Sequence, residues 1–177
     1  MHLHHQGDLD GLSGVYALIN AVELLCGPLE HDETRHLFRL MLTHLDVRGP
    51  LARHCSDGIL SNGMASLLSG VVCRYYPIQR FKPFHRQARV SKQQFLDTLA
   101  AFLQQPKRLA LVGLSGRYRH WTLVYRVTDQ TLFTYDSYAL PFRVQQACSI
   151  PDAATDAVTA QQPILLASQT YLLGASV

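Results

Sequence analysis

At 177 residues the chain is long enough for one domain with a sizeable core, and 47% hydrophobic against 16% charged residues excludes a disordered composition. A formal net charge of +3, with no Lys/Arg run interleaved with aromatics, gives no case for a nucleic-acid partner. No stretch approaches the roughly 18–20 apolar residues of a membrane span, and the start "MHLHHQGDLDG" has no charged segment leading into an apolar one. The expectation is a cytoplasmic protein with no membrane partner, or an effector exported by a signal-independent route.

The early histidines His2, His4 and His5 read as a mobile terminus in preference to a metal site. Residues 14–26, "GVYALINAVELLC", are apolar on nearly all sides and predict a buried central helix, stopped by Gly27 and Pro28. A second, amphipathic helix follows over "HDETRHLFRLMLTHLD". Its apolar stripe is Leu37, Phe38, Met41 and Leu45, and Asp32 is the expected N-cap. Residues 46–60 read as loop, from Gly49-Pro50 and Asp57-Gly58. "SNGMASLLSGVVCRYY" predicts a third helix and "PIQRFKPF" an extended segment. "SKQQFLDTLAAFLQQ" predicts a helix with Ser91 and Gln94 at capping-box spacing and Pro106 beyond its end.

The pattern then changes to short β-rich runs over 108–116, 120–128 and 131–138. Asp129-Gln130 between the last two predicts an antiparallel hairpin. Residues 145–162 read as loop with a short helix, and "PILLASQTYLL" as one more strand. Helices followed by an antiparallel sheet make an α+β domain spanning 1–177, with no internal repeat or dividing linker. Cys26, Cys55, Cys73 and Cys148 form no C-x-x-C pair, which removes zinc-ribbon and thioredoxin readings. Cys26 and Cys73 are expected as buried free thiols.

Three places carry chemistry. Ser13 stands at the first turn of the buried helix, His120 opens a strand, and Asp136 ends the next, sixteen residues later. A hairpin folding that interval back on itself brings imidazole and carboxylate together. The carboxylate fixes the ring, and the other ring nitrogen serves a nucleophile. A helix N-terminus stabilises a thiolate or a developing oxyanion, and Gln6 is placed upstream to add a second donor. Asp8 and Asp10 compete for that upstream position, but a carboxylate would repel an oxyanion. Gly14 is expected to let substrate approach the backbone and Trp121 to wall the site. Asn20 reads as a buried polar contact, and Ser137 and Tyr138 as candidates for the cleft wall. Cys55 beside His54 is a weaker alternative nucleophile. No metal and no cofactor are expected.

The order nucleophile–His–Asp, with "Q…GLSGVYALINA", "RHW" and "YDSY", resembles the papain-like cysteine peptidase superfamily. It is similar in particular to compact bacterial peptidases that process double-glycine leader peptides; "DGLSG" is also similar to the "DGNC" start of ovarian-tumour-type deubiquitinases. The resemblance implies a papain-like α+β fold with the central helix packed on an antiparallel sheet. It also implies a thiol hydrolase cleaving an amide bond in a peptide or protein substrate. By position it makes Ser13 the nucleophile, His120 the base, Asp136 the orienting group and Gln6 the oxyanion residue.

Ser13 departs from that pattern. A helix terminus and an imidazolium can ionise a thiol, but an alcohol needs concerted proton removal. Ser13 in a cysteine-type frame therefore reads as an inactivating replacement, whether deliberate or in a natural inactive homologue; a genuine serine enzyme is the third account. A glutamine deamidase or acyltransferase on the same triad, and a non-catalytic peptide-binding pseudoenzyme, remain as alternatives. Oligomeric state and the specificity pocket, expected from loops over 46–60 and 139–162, are not encoded legibly.

Overall fold

The computed structural model describes residues 4–7, 10–85, 87, 89–115, 120–128, 131–137 and 164–176. Five antiparallel-paired strands form one sheet in the order β1-β5-β2-β3-β4, where β1 is Ile78–Phe81, β2 Arg108–Ser115, β3 His120–Thr128, β4 Thr131–Tyr135 and β5 Ile164–Ala175. The last strand in sequence is thus inserted between the first two. Side chains alternate across β2: Leu109 and Leu111 enter one core, Ala110, Val112 and Leu114 the other. The strands are apolar on both faces because helices cover both.

Helix α1 (Ser13–Cys26) lies on the first face, and its residues Val15, Leu18, Ile19, Val22 and Leu25 are at most 2% exposed. It is a buried helix of the kind an all-round apolar sequence demands. Behind it pack α2 (His31–Asp46), through Leu37, Met41 and Leu45, and α4 (Ser61–Leu67). The third predicted helix does form, but it widens into a π-turn over Leu68–Val72 before α5 (Cys73–Tyr75). On the opposite face α6 (Lys92–Leu103) lays Phe95, Leu96 and Leu99 on the sheet. Ser91 Oγ accepts from Gln94 N at 3.1 Å, the expected cap.

Several local expectations are corrected. Helix α2 starts at His31, one residue before the expected cap Asp32, because Glu30 and Glu33 close a reciprocal capping box. A helix, α3 (Leu51–Asp57), occupies part of the expected 46–60 loop. Pro50 sits before its first turn, Asp46 Oδ1 accepts from Leu51 N, and Gly58 at φ 83° ends it. No residue of this seven-residue helix is fully buried, and only Leu51 and Cys55 pack partly against the core, which leaves too short an apolar pattern to read. Cys26 is exposed and Cys73 half-buried, both as free thiols; Cys26 is the last residue of α1 and passes the edge of the core. The terminal histidines are tied down where they are described: Asn20, fully buried, grips His4 through both its main-chain N–H and carbonyl. His4 Nε2 also meets Glu23 Oε1 at 3.2 Å. Asp129-Gln130, residues 145–162, Cys148 and His2 lie outside the described residues.

Gly11 fixes where α1 begins. Its N–H donates to the Cys55 carbonyl at 2.6 Å, and a Cβ on it would stand 2.7 Å from Gly58 N and 3.0 Å from the Cys55 carbonyl oxygen. These are backbone atoms that cannot swing away. Gly11→Ala is therefore expected to cost about 1–3 kcal/mol, as overpacking does. Gly49→Ala, whose Cβ would meet nothing nearer than 3.9 Å, should stay within about 0.5 kcal/mol. Denaturant midpoints of the two variants check the contrast.

His44 on α2 lies beside the π-turn, with its Nε2 2.8 Å from Ser66 Oγ and accepting from Arg48 Nε at 3.1 Å. Burial lowers its pKa from the ordinary 6.5, the Arg48 charge lowers it further, and the hydrogen bond with Ser66 works the other way. The fold thus favours the neutral ring. Its contribution to stability is complete above the ordinary imidazole value and is lost as pH falls through the lowered folded value. An NMR titration of the His44 ring should give a midpoint below 6.5.

Candidate active site

The turn into α1 is built by Asp10. Its Oδ1 accepts from Leu12 N and its Oδ2 from Gly7 N, each at 3.0 Å, an Asx-type turn that delivers the chain to the helix. Leu12 is the N-cap and offers no side-chain bond, so Ser13 is the first helical residue and does not cap the helix. Ser13 is 3% exposed, and its Oγ accepts from Trp121 N at 3.2 Å. The Trp121 indole N–H donates to the Ile59 carbonyl at 2.7 Å. One strand residue thus ties the helix start to the loop after α3.

Across β3, His120 Nε2 lies 2.9 Å from Asp136 Oδ1, with the two residues 8% and 5% exposed. The pairing depends on a bulge. From Thr128↔Thr131 to Arg126↔Phe133 the ladder keeps one register; beyond it, Val124 pairs with Thr134 and Leu123 with Tyr135, leaving Tyr125 as an extra residue. Continued one step, this sets Asp136 opposite Thr122, on the face that His120 shares. Without the bulge Asp136 would oppose Leu123 and point to the other face. Tyr125 is held out of register by stacking on Tyr135, ring centres 4.3 Å apart. A carboxylate only accepts hydrogen bonds, so the proton of the His120–Asp136 contact belongs to Nε2.

Ser13, His120 and Trp121 line one cleft of about 160 Å³, closed by Asp57–Leu60 on one side and by Leu114, Ser115, Leu166 and Gln169 on the other. Asp57, the last residue of α3, and Gly58, Ile59 and Leu60 after it form that wall; residues 139–162 and Tyr138 lie outside the described residues. Sequence reasoning missed Gln169 and Leu166, whose only signal is a three-residue register shift that no composition reveals.

The other expected site residues sit elsewhere. The Gln6 side-chain amide donates to the Asp10 carbonyl, and Gln6 does not line the cleft; its Oε1 is buried without a hydrogen-bond partner among the described residues. Its main chain is near the site all the same, since Gln6 N donates to the Ser137 carbonyl, which His5 Nδ1 also meets at 3.1 Å. Ser137 is buried and does not line the cleft. Gly14 faces the core and not the cleft: a Cβ there would stand 2.4 Å from Met64 Cε, 3.2 Å from Trp121 Cδ1 and 3.3 Å from Ile59 Cδ1. Its missing side chain serves helix packing. Cys55 and His54 are on α3, and neither lines the cleft. No group of three or more His, Cys, Asp or Glu residues among those described could hold a metal ion. No helix among them is long and apolar enough to cross a membrane.

Compared with protein-family models, with curated proteins and with solved structures, the chain matches none.

Removing the carboxylate should expose the pair's role. Asp136→Ala is expected to cost about 1–3 kcal/mol, the penalty for orphaning a buried hydrogen-bonding group. It should also release the ring proton from Nε2, which the ¹⁵N shifts of the His120 ring would record as a change of tautomer.

Proposed function

We propose that the cleft is a papain-like hydrolase site directed at an amide bond of a peptide or protein, with Ser13 standing where the nucleophilic cysteine belongs. The observation that carries this reading is the buried 2.9 Å contact between His120 and Asp136 beside Ser13 at the start of a buried helix. In a site of this kind a thiolate attacks the carbonyl carbon, and the imidazolium gives its proton to the leaving amine as the C–N bond breaks. Water then attacks the thioester and gives a proton to the imidazole; the acid product leaves and the thiolate returns. Asp136 orients the ring through Nε2, so Nδ1 is the atom that exchanges the proton. The first N–H groups of α1 have no intrahelical acceptor and favour negative charge at the nucleophile and at the oxyanion.

Ser13 itself is held as a hydrogen-bond acceptor by Trp121 N, and a helix terminus does not ionise an alcohol. That contact favours a second reading for the chain as it stands, a peptide-binding cleft with little or no turnover.

The substitution Ser13→Cys separates the two. On the hydrolase reading, the new thiol should react with iodoacetamide at neutral pH at least about tenfold faster than the same thiol combined with His120→Ala, because the imidazole sustains the thiolate. Cys73 provides an internal comparison: burial pushes its thiol up, only partly offset by Arg80, so it should react slowly. Modification is followed peptide by peptide in the mass spectrometer. A thiol at position 13 indifferent to His120→Ala would leave the binding-cleft reading standing and remove the hydrolase one.

A further inference from the structure

The strand that floors the cleft is interrupted. From Arg108↔Gly174 to Val112↔Thr170, β2 and β5 keep one register, which would next set Gln169 opposite Gly113. Leu166 takes that place instead, residues 167–169 are extra, and Thr170 Oγ1 closes the bulge by donating to the Leu166 carbonyl at 3.1 Å. Bulges re-aim side chains, and this one turns Gln169 across Gly113. A Cβ on Gly113 would stand 2.7 Å from Gln169 Oε1, 2.9 Å from Gln169 Cβ and 3.3 Å from Trp121 Cζ3. Gly113 therefore leaves the room in which the Gln169 side chain lies. Gln169 is half-buried, lines the cleft with Ser13 and His120, and its side chain has no hydrogen bond to any described residue.

A carboxamide offers donors and an acceptor together, the complement of a peptide unit whatever side chain that unit carries. The geometry points to Gln169 as a substrate-binding residue that hydrogen-bonds a main-chain peptide unit of an extended segment in the cleft, with Gly113 as the residue that positions it. This rests on the reading of the cleft as a peptide-hydrolase groove. The cleft's volume narrows the class of segment: about 160 Å³ is below the roughly 300–1,000 Å³ of pockets for drug-sized ligands. Its walls at Ile59, Leu60, Leu114, Leu166 and Trp121 are apolar. Small uncharged side chains next to the reacting carbonyl suit it.

Two alkylating reagents on the Ser13→Cys chain test this. Iodoacetamide reads the thiol–imidazole couple and needs no peptide groove; acetyl-Ala-Ala chloromethyl ketone needs both. Gln169→Leu, which keeps bulk and loses the carboxamide, and Gln169→Ala should each slow the peptidyl ketone about tenfold, the size of effect one to two lost hydrogen bonds produce. Iodoacetamide should modify the same thiol at the parent rate. Gly113→Ala should copy that split by displacing Gln169. A peptidyl ketone as fast on Gln169→Leu as on the parent overturns the assignment, as does a variant slowed equally toward both reagents. A parent thiol slow toward both reagents fails the hydrolase reading itself; a fast thiol indifferent to Gln169 fails this assignment alone.

Discussion

Burying an imidazole and a carboxylate side by side is costly unless each satisfies the other. His120 and Asp136 meet that condition at 2.9 Å, and the surrounding fold is arranged so that they can. A strand ladder offers only two faces, and moving its register by one residue exchanges them. Tyr125, stacked on Tyr135 and left without a cross-strand partner, performs that exchange midway along β3. Below it Val127 packs into the α6-side core; above it Leu123 packs into the α1-side core, although an unbroken strand would send both the same way. The bulge therefore sorts two cores and, in the same step, sets the pair on one face.

The pair is joined to the rest of the molecule through its neighbour. Trp121 contributes its main-chain N–H to Ser13 Oγ and its indole N–H to the Ile59 carbonyl, and its ring packs near Tyr171 at 6.3 Å. Helix α1, strand β3 and the wall after α3 thus share one residue. The N-terminal segment closes the other side, since Gln6 and His5 both bond the carbonyl of Ser137, next to Asp136. Three chain segments remote in sequence thus converge on a single position with few freedoms left.

What could be read from the chain follows from how local each signal is. Helices α1, α2 and α6 announce themselves by apolar periodicity and caps within a turn or two, and the β3–β4 hairpin by alternation around a short polar break. The partnership of His120 with Asp136 was legible for the same reason: it needs only one hairpin. Three kinds of feature were not. Helix α3 is seven residues long and sets only Leu51 and Cys55 partly against the core, too short a pattern to mark it. The start of α2 was misplaced because a Glu–Glu capping box replaced the more usual Asp cap. The bulges at Tyr125 and at residues 167–169 are set by packing across strands, and with the second of them goes Gln169, which a one-dimensional reading has no means of placing in the cleft. Gln6 and Gly14 show the opposite error. Their spacing suits the resemblance, while their contacts turn the one toward Asp10 and the other toward Met64.

The identity of the atom at position 13 is where fold and chemistry part. A serine oxygen accepts the Trp121 N–H at 3.2 Å and so completes the local hydrogen bonding in a way that suits a ground state. A thiolate at the same place would receive that N–H as one more donor to its negative charge, beside the helix terminus, and both would lower its proton affinity. The same main-chain donor therefore weighs differently on the two atoms: it would stabilise an ionised sulfur, whereas an alcohol would still have to lose its proton to a base. Every other part of the arrangement, from the Asp10 turn to the bulge at Tyr125, is indifferent to that choice. The local hydrogen bonding can accordingly accept oxygen or sulfur at position 13, and the choice of atom bears on the proposed chemistry alone.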